Sequence, residues 1–339
     1  MKITLKVGGR ALLVLAILGL AAWAAAALYL GPPQSAFSAL AIAAVGLVAA
    51  VSAVLPRLRW WPLALFAVAL IGFQIRWSAV RPSNDRDWQP DVAVLPFATF
   101  DGDLVTIHNI RNFDYRTETD YTPRYYDKTY DLRKLDSVDL IAVYWMGDAI
   151  AHIMLSFGFA EQDFVAISIE TRKERGETYD TLKGFFRQYE LIYIVGDERD
   201  LIRLRTNYRK DPPEDAYVYR TTAPPEKARR GFLSYLQKIN ELKEHPGFYN
   251  TLTTNCTTNV LMHTRVNPGA LRYSWKILLS GYAPLAAYEA GRLDTRLPFA
   301  ELRRRSHINA AAQAADQAAD FSQRIRAGLP KPAASDPPK

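Results

Sequence analysis

The amino-acid sequence predicts an α+β fold preceded by three membrane-spanning helices. No charged residue occurs between Arg10 and Arg57, and a mixed polar composition with frequent Tyr begins only at Pro82. In this later part the predicted strands come before most of the predicted helices, an order typical of α+β domains rather than doubly wound ones. Because 49% of the 339 residues are hydrophobic, there is enough apolar side chain to exclude disorder over most of the length.

Three apolar segments, residues 11–30, 36–55 and 60–80, predict a membrane domain over residues 1–80. The first segment holds 20 uncharged residues, which as a helix are long enough to cross ~30 Å of hydrocarbon. Residues 31–35 contain two prolines and break the helix, and residues 56–59 form a short basic loop. The pattern therefore predicts three transmembrane helices joined by short loops.

The basic residues around these segments predict their orientation. Five of the seven net positive charges come from residues before the first segment or between the second and the third: Lys2, Lys6, Arg10, Arg57 and Arg59. By the positive-inside rule both regions are cytoplasmic, and three crossings place everything after Val80 outside the cytoplasm. A signal peptide followed by a buried hairpin is the alternative. The remaining sequence is close to neutral, which argues against nucleic-acid binding.

Residues 81–305 make up the predicted polar domain, and residues 306–339 an Ala/Pro-rich C-terminal tail. Short alternating runs predict strands and longer periodic runs predict helices. The predicted strands are residues 104–110, 138–145, 152–159, 164–171, 190–195 and 201–206, and the predicted helices are residues 179–188, 225–244 and 257–264. Within the tail, residues 308–326 are compatible with an exposed helix, and residues 328–339 are typical of disorder.

Cys256 is the only cysteine in the sequence. A single cysteine excludes an intramolecular disulfide and a structural zinc site, and we expect neither a metal nor a cofactor. Thr254 or Asn255 is a good N-cap, so Cys256 is predicted in the first turn of a helix, where unpaired N–H groups and the helix dipole favour a thiolate. The alternative role of a lone cysteine is that of a small core residue.

A thiol enzyme needs a base, and five histidines are available. His263 lies seven positions after Cys256, so on one helix it is too far along the axis to touch the sulfur. His245 and His307 are predicted to be peripheral, and His108 is the second choice. His152 opens the predicted strand 152–159 and is the favoured base, with an ordinary sheet histidine as the alternative.

Strand register links His152 to a carboxylate. If residues 152–159 and 164–171 pair as a hairpin with their apolar faces on one core, opposed residue numbers add to an even number such as 322. His152 then shares a face with Glu170, which can orient the imidazole as the third member of a triad does. A salt bridge from Glu170 to Arg172 or another cation is the competing role.

Several further segments accompany His152 and Cys256. They are SIETR at 168–172, YELIY at 189–193, DE at 197–198, LRT at 204–206, FYN at 248–250 and TNCTT at 254–258. Together, over roughly residues 90–270, these segments resemble the bacterial family called the Lnb N-terminal periplasmic domain. The resemblance implies a circularly permuted papain-like (NlpC-type) α+β fold with an antiparallel sheet, in which the histidine strand precedes the cysteine helix.

The resemblance also implies a chemistry. A well-understood member is a lipoprotein transacylase, which moves an acyl chain from the lipid on the N-terminal cysteine of a lipoprotein to the amino group of that cysteine. For this chain it implies Cys256 as nucleophile, His152 as base and Glu170 as a third catalytic residue. The arrangement of membrane helices differs across the family, so the substrate is not carried over.

The expected function is that of a membrane-anchored Cys–His acyltransferase or acyl hydrolase, which acts through an acyl-thioester on a lipid, lipoprotein or other cell-envelope substrate. Asn255, Tyr249, Arg172 and Tyr193 are candidate substrate or supporting residues, with ordinary packing as the alternative. A thiol peptidase or amidase on cell-wall peptides and a non-catalytic binding module stay open. The expected location is the bacterial inner membrane, with the N-terminus cytoplasmic and the main domain periplasmic.

Overall fold

Three long apolar helices begin the structure, a computed structural model that describes residues 2–55 and 60–332. They are α1 (Lys2–Leu30), α2 (Ala36–Val54) and α3 (Trp61–Ala79). All three are long and apolar enough to cross a membrane, which agrees with the predicted spans. The predicted basic loop at residues 56–59 and the last seven residues of the predicted tail, 333–339, lie outside the described residues.

Small side chains let the first two of these helices approach closely. A Cβ atom on Gly46 of α2 would lie 2.4 Å from the Cβ of Ala21 in α1, so this crossing requires glycine. Helix α2 begins where the sequence predicts, because the Ser35 hydroxyl caps it by accepting a hydrogen bond from Ser38 N at 3.2 Å. The ring of Trp23 packs edge-on against Phe73 of α3 at 5.1 Å.

The described chain divides into two units. The first holds the three helices up to residue 83 together with residues 178–190 and 248–251. The second holds residues 84–177, 191–247 and 252–332. Cys256, His152 and Glu170 all belong to the second unit, so the candidate site lies within one unit.

A mixed sheet forms the centre of the second unit. Its strand order is β1-β2-β9-β8-β7-β6-β10, with β5 also paired to β2. The bounds are β1 Phe97–Asp101, β2 Leu104–Arg111, β5 Tyr125–Asp131, β6 Leu135–Tyr144, β7 Ala151–Phe159, β8 Asp163–Arg172, β9 Glu190–Gly196 and β10 Asp215–Arg220, and β3 (Asp114–Tyr115) and β4 (Tyr121–Thr122) form a separate pair. The α+β class is as predicted. The sheet is not purely antiparallel, however, because β2 and β9 pair in parallel through Arg111 and Gly196.

Strands β7 and β8 pair in the register that the apolar pattern predicts. Leu155 lies opposite Ile167 and Phe157 opposite Val165, so the opposed residue numbers add to 322. One face of β7 thereby places Ile153, Leu155 and Phe157 in the core, and the other face carries His152. A slip by one residue would exchange the two faces of the strand and place His152 where Ile153 now packs.

Helices cover the core face of β7. Helix α5 spans Pro225–Glu244 and α6 spans Cys256–Thr264, close to the predicted bounds. Phe157 of β7 packs against Phe232 and Tyr235 of α5, with ring centroids 4.8 and 5.8 Å apart. The chain continues through α7 (Trp275–Leu278), α8 (Ala283–Glu289) and α9 (Phe299–Arg305).

Two predicted elements are wrong. Residues 201–206, predicted as a strand, belong to helix α4 (Glu198–Arg203) and a π-helical turn, Leu204–Tyr208. The Asp197 carboxylate caps α4 by accepting from Arg199 N at 2.9 Å, and a short apolar run does not by itself separate strand from buried helix. Residues 179–188, predicted as a helix, form only the 3-10 turn Lys183–Phe185, and Arg187 adopts a left-handed conformation with φ of 57°.

The C-terminal segment is buried, in contrast to the predicted exposed helix over residues 308–326. It forms two short helices, α10 (Asn309–Ala314) and α11 (Phe321–Arg324). Ile308, Ala312 and Phe321 are each at most 1% exposed, and they join one apolar cluster with Val143, Met154 and other residues of the sheet. These helices cover the face that is opposite to α5.

Candidate active site

Cys256 is the first residue of α6, as its sequence context predicts. Asn255 is the N-cap, and its side-chain oxygen accepts from Thr258 N at 2.8 Å. The Thr258 hydroxyl accepts in return from Asn255 N at 2.9 Å, which completes a capping box. The sequence Asn-Cys-Thr-Thr therefore starts a helix and holds the cysteine in its first turn, where the N–H groups of Cys256 and Thr257 have no acceptor within the helix.

His152 lies near the start of β7 and is 7% exposed. Its Nε2 atom is 2.6 Å from the Ser168 hydroxyl and 3.2 Å from Glu170 Oε1. Ser168 in turn donates to Glu170 Oε1 at 2.6 Å. Since the hydroxyl proton points to Glu170, the ring Nε2–H donates to Ser168. The predicted association of His152 with Glu170 is present, and Ser168, which the sequence interpretation missed, lies between them.

The remaining side of the imidazole faces the thiol. The charge of His152 and the backbone N–H of Ile153 both lower the pKa of the Cys256 thiol, so the sulfur lies close to these two groups. The Thr257 hydroxyl is 3.7 Å from Cys256 Sγ. Nε2 is occupied by Ser168 and Glu170, so Nδ1 is the ring nitrogen available to the sulfur.

Strand divergence explains how α6 reaches His152. The paired register of β7 and β8 ends at Leu155 and Ile167. Two residues earlier, the backbone N–H of Ile153 is close enough to Cys256 to lower the pKa of its thiol. The end of the hairpin thus supplies both an imidazole and a backbone donor to the first residue of α6.

The electrostatic environment favours the charged forms of the pair. Burial would lower the pKa of His152, but the negative charges of Glu170 and Cys256 outweigh burial and Arg205 and raise it to about 9. Burial would raise the pKa of Cys256, but the positive charge and hydrogen bond of His152, together with the Ile153 N–H, lower it. Burial likewise opposes ionisation of Glu170, yet His152 and Arg205 hold the pKa of this carboxyl well below its usual range. The attraction between the two groups favours a thiolate next to an imidazolium.

Arg205 supports Glu170 from the π-helical turn. Its guanidinium donates to Glu170 Oε1 at 3.0 Å and to Glu214 Oε2 at 3.4 Å. Glu214 Oε1 also forms a salt bridge with Arg209 Nη1 at 2.9 Å. The competing partner considered from the sequence, Arg172, donates instead to the carbonyls of Val92 and Ala93. The Ser-x-Glu spacing at 168–170 was a usable signal for Ser168, whereas Arg205 lay in a segment predicted to be a strand.

The other candidate residues have varied surroundings. Asn255 caps α6, and the Arg172 guanidinium stacks on Trp88 at 4.2 Å. The Tyr193 hydroxyl lies 2.8 Å from His263 Nε2, within the core. Tyr249 belongs to the first unit, where its backbone N–H donates to Tyr189 O at 3.0 Å. None of these contacts shows a role in binding a substrate.

Two of the remaining histidines, His263 and His108, have partners of their own. His263 is buried between Tyr193 and the Ser234 hydroxyl, which lies 2.9 Å from its Nδ1, and burial lowers its pKa to about 3. It is therefore a neutral core residue. His108, the second choice as base, pairs with Asp127 at 2.7 Å. Across residues 2–55 and 60–332 there is no group of three His, Cys, Asp or Glu side chains that could hold a metal ion.

An apolar cavity lies between β7 and helices α5 and α6, and neither Cys256 nor His152 is part of its lining. It has a volume of about 170 Å³, and its lining includes Ile153, Thr257 and Tyr235. Ile153 and Thr257 directly follow the base and the thiol in sequence. Burial raises the pKa of Tyr235, and the nearby charge of Cys256 raises it further. Val260, Leu261 and Ile277 continue the apolar wall, so the cavity extends from the start of α6 along that helix.

A match to a known protein family includes this site. No curated protein and no solved structure matched the chain. A family model described as the Lnb N-terminal periplasmic domain matches residues 121–281. This range includes β7, β8 and α6 and hence Cys256, His152 and Glu170. The match confirms the family that the segments at 168–172 and 254–258 resemble. This part of the chain belongs to the Lnb N-terminal periplasmic domain family, and it follows three helices that are suited to span a membrane.

Proposed function

We propose that the protein is a membrane-anchored thiol acyltransferase or acyl hydrolase that forms an acyl-thioester on Cys256. The proximity of Cys256 to His152, together with the contacts of Ser168 and Glu170 on Nε2 of the ring, is the observation that carries this proposal. A non-catalytic binding module has no need for a thiol paired with an oriented imidazole. Perturbed ionisation of a cysteine and a histidine in contact is typical of nucleophilic catalysis.

The first step would transfer the acyl group to the enzyme. The Cys256 thiolate attacks the carbonyl carbon of an ester, and the bond from that carbon to the alcohol oxygen breaks. The imidazolium of His152 gives its proton to the departing alcohol, which leaves neutral imidazole and a thioester. The N–H groups of Cys256 and Thr257, in the first turn of α6, are suited to receive the developing oxyanion.

The second step would release the acyl group. An amine or a water molecule attacks the thioester while neutral His152 accepts its proton, and the thiolate departs to restore the resting pair. Glu170 keeps the ring oriented throughout and stabilises its charged form, with Ser168 and Arg205 holding the carboxylate in place. Attack by an amine gives transfer, and attack by water gives hydrolysis.

The apolar cavity supports an acyl group with a hydrocarbon chain. Its wall beside Thr257 is formed by aliphatic and aromatic side chains such as Ile153, Val260 and Leu261. A fatty acyl chain buries apolar surface in such a cavity, whereas a cell-wall peptide brings amide groups that need hydrogen-bond partners. This favours a lipid or lipoprotein donor over the thiol peptidase or amidase alternative.

The location of the domain is part of the proposal. The basic residues at the start of α1 and at Arg57 and Arg59 orient these segments to the cytoplasm, and three crossings carry the second unit to the other side. The expected membrane is the bacterial inner membrane, with the domain in the periplasm. The acyl donor would then be a lipid or lipoprotein of the outer leaflet.

Trapping of the thioester tests the proposal. The purified full chain in detergent is incubated with p-nitrophenyl esters of increasing acyl length, and the peptide that contains Cys256 is analysed by mass spectrometry. We expect a hydroxylamine-sensitive acyl adduct that forms faster with longer chains, is absent from Cys256→Ala and forms at least about tenfold more slowly in His152→Ala. His245→Gln, an exposed histidine, is the matched control. Equal acylation of wild type and His152→Ala would contradict the assigned base.

A further inference from the structure

An exposed apolar surface lies on the segment from α6 to α7. It consists of six large side chains: Met262, Val266, Tyr273, Trp275, Leu278 and Leu279. Trp275 is 58% exposed and Leu278 43%. A domain facing only water rarely places so many large apolar residues outward along one short segment. We call these six residues, with the backbone between them, the 262–279 surface.

The charge around this surface has one sign. No Asp or Glu occurs from residue 245 to residue 288, whereas Arg265 and Arg272 are exposed on the segment itself. Lys276 pairs with Glu289 of α8. Asp148 is another acid near this segment, because the backbone next to it contacts Gly281. Its carboxylate pairs with Arg303. The uncompensated side chains on the segment are therefore basic.

Large apolar side chains flanked by Arg are the composition of a segment that lies in a membrane interface. Trp and Tyr prefer the boundary between head groups and hydrocarbon, and Arg binds the phosphates of anionic lipids. The chain itself brings a membrane close, because three apolar helices precede the domain. A lipid leaflet is thus the partner whose chemistry and availability both fit.

The same segment forms part of the apolar cavity. Leu271 and Ile277 line it, and Ile277 lies between the exposed Trp275 and Leu278. One side of α7 thus faces the cavity and the other faces outward. A leaflet in contact with the outward side would lie next to the cavity wall.

We propose that the 262–279 surface docks on the lipid leaflet. Trp275, Leu278 and Leu279 enter the boundary of the hydrocarbon, and Arg265 and Arg272 contact lipid phosphates. This docking does not depend on the chemistry assigned to Cys256. It adds a second membrane attachment to that given by the N-terminal helices.

Site-specific fluorescence tests the docking in the full-length protein. Because Cys256 is the only cysteine, Cys256→Ser followed by Leu278→Cys gives one labelling site for a nitrobenzoxadiazole probe. The matched control is Leu104→Cys on β2, since Leu104 is 40% exposed and Leu278 is 43% exposed. Both proteins are reconstituted in vesicles rich in phosphatidylglycerol, with or without lipids brominated on the acyl chains.

We expect brominated lipids to quench the probe at 278 several-fold more than the probe at 104, and aqueous iodide to show the reverse preference. Arg265→Gln with Arg272→Gln should reduce the quenching at 278 toward the control, as should vesicles of phosphatidylcholine alone. Val266→Cys provides a second site if Leu278→Cys does not fold. Equal access of iodide to both probes would overturn the proposal and indicate an aqueous or protein-facing surface. The background lacks the thiol, so this result is independent of catalysis.

Discussion

At the residue scale, the imidazole of His152 has neighbours on both sides of the ring. Nε2 is held by Ser168 and Glu170, and the other side of the ring contacts Cys256. A histidine with a purely structural role in the sheet would need a hydrogen-bond partner for each ring nitrogen. It would not need a thiol beside it. The raised pKa of His152 and the lowered pKa of Cys256 both follow from their mutual attraction. The pair is therefore expected to react as an ion pair at neutral pH.

The pH dependence of alkylation tests this ion pair. A lowered cysteine pKa means that thiolate persists below the usual value of about 8.5, so the alkylation rate of wild type with iodoacetamide should begin to rise at a lower pH than that of a variant without the imidazole. In His152→Gln the attraction is lost, the pKa of Cys256 rises, and the rate at neutral pH should fall about tenfold and increase with pH.

His245→Gln should keep the profile of wild type, because this residue is exposed. The rate of acyl transfer should decline above about pH 9, because the pKa of His152 is about 9. Above that pH the ring loses the proton that it gives to the leaving group. The same alkylation profile in wild type and His152→Gln would mean that the thiol and imidazole do not interact.

At the element scale, the C-terminal helices complete the sheet. Arg326, just after α11, donates to Asp139 of β6 at 2.7 Å and to Glu198 of α4 at 2.6 Å. All three side chains are buried, and the guanidinium also lies 3.7 Å from the ring of Phe164. A charge at the end of the described chain therefore neutralises two carboxylates within the core.

Removal of this charge should destabilise the domain strongly. Arg326→Ala leaves Glu198 buried without this cation and Asp139 with Arg220 alone, which costs about 3–5 kcal/mol of unfolding free energy. Arg324→Ala is the matched control, because Arg324 and its partner Asp320 are both exposed and such pairs contribute little. Thermal unfolding of the full chain in detergent measures both. Equal melting temperatures for the two variants would show that the C-terminal segment does not support the sheet.

At the scale of the whole molecule, the chain consists of three apolar helices and one α+β domain. The basic residues around the helices are concentrated before the first span and after the second. Because two spans separate these two groups of basic residues, both groups lie on the same side of the membrane. The second unit contains Cys256, His152 and Glu170. The side of the membrane on which that unit resides therefore determines which acyl donors it meets.

Cysteine accessibility tests this orientation. In the Cys256→Ser background, Thr119→Cys places a thiol on an exposed loop of the second unit, and Leu58→Cys places one between Arg57 and Arg59. A membrane-impermeant maleimide should label position 119 in intact spheroplasts and position 58 only after lysis. The reverse pattern would place the domain in the cytoplasm and remove periplasmic lipids from consideration.

The sequence by itself determined the three apolar helices, the first-turn position of Cys256 and the shared face of His152 and Glu170. These features follow from local rules: apolar length, capping residues and the two-residue period of a strand. Only the tertiary structure decided that β7 and β8 diverge where α6 begins, that Arg205 supports Glu170 from a π-helical turn, and that residues 308–326 are buried. Those contacts join residues far apart in sequence, and their geometry depends on packing of the whole domain, which no local pattern encodes.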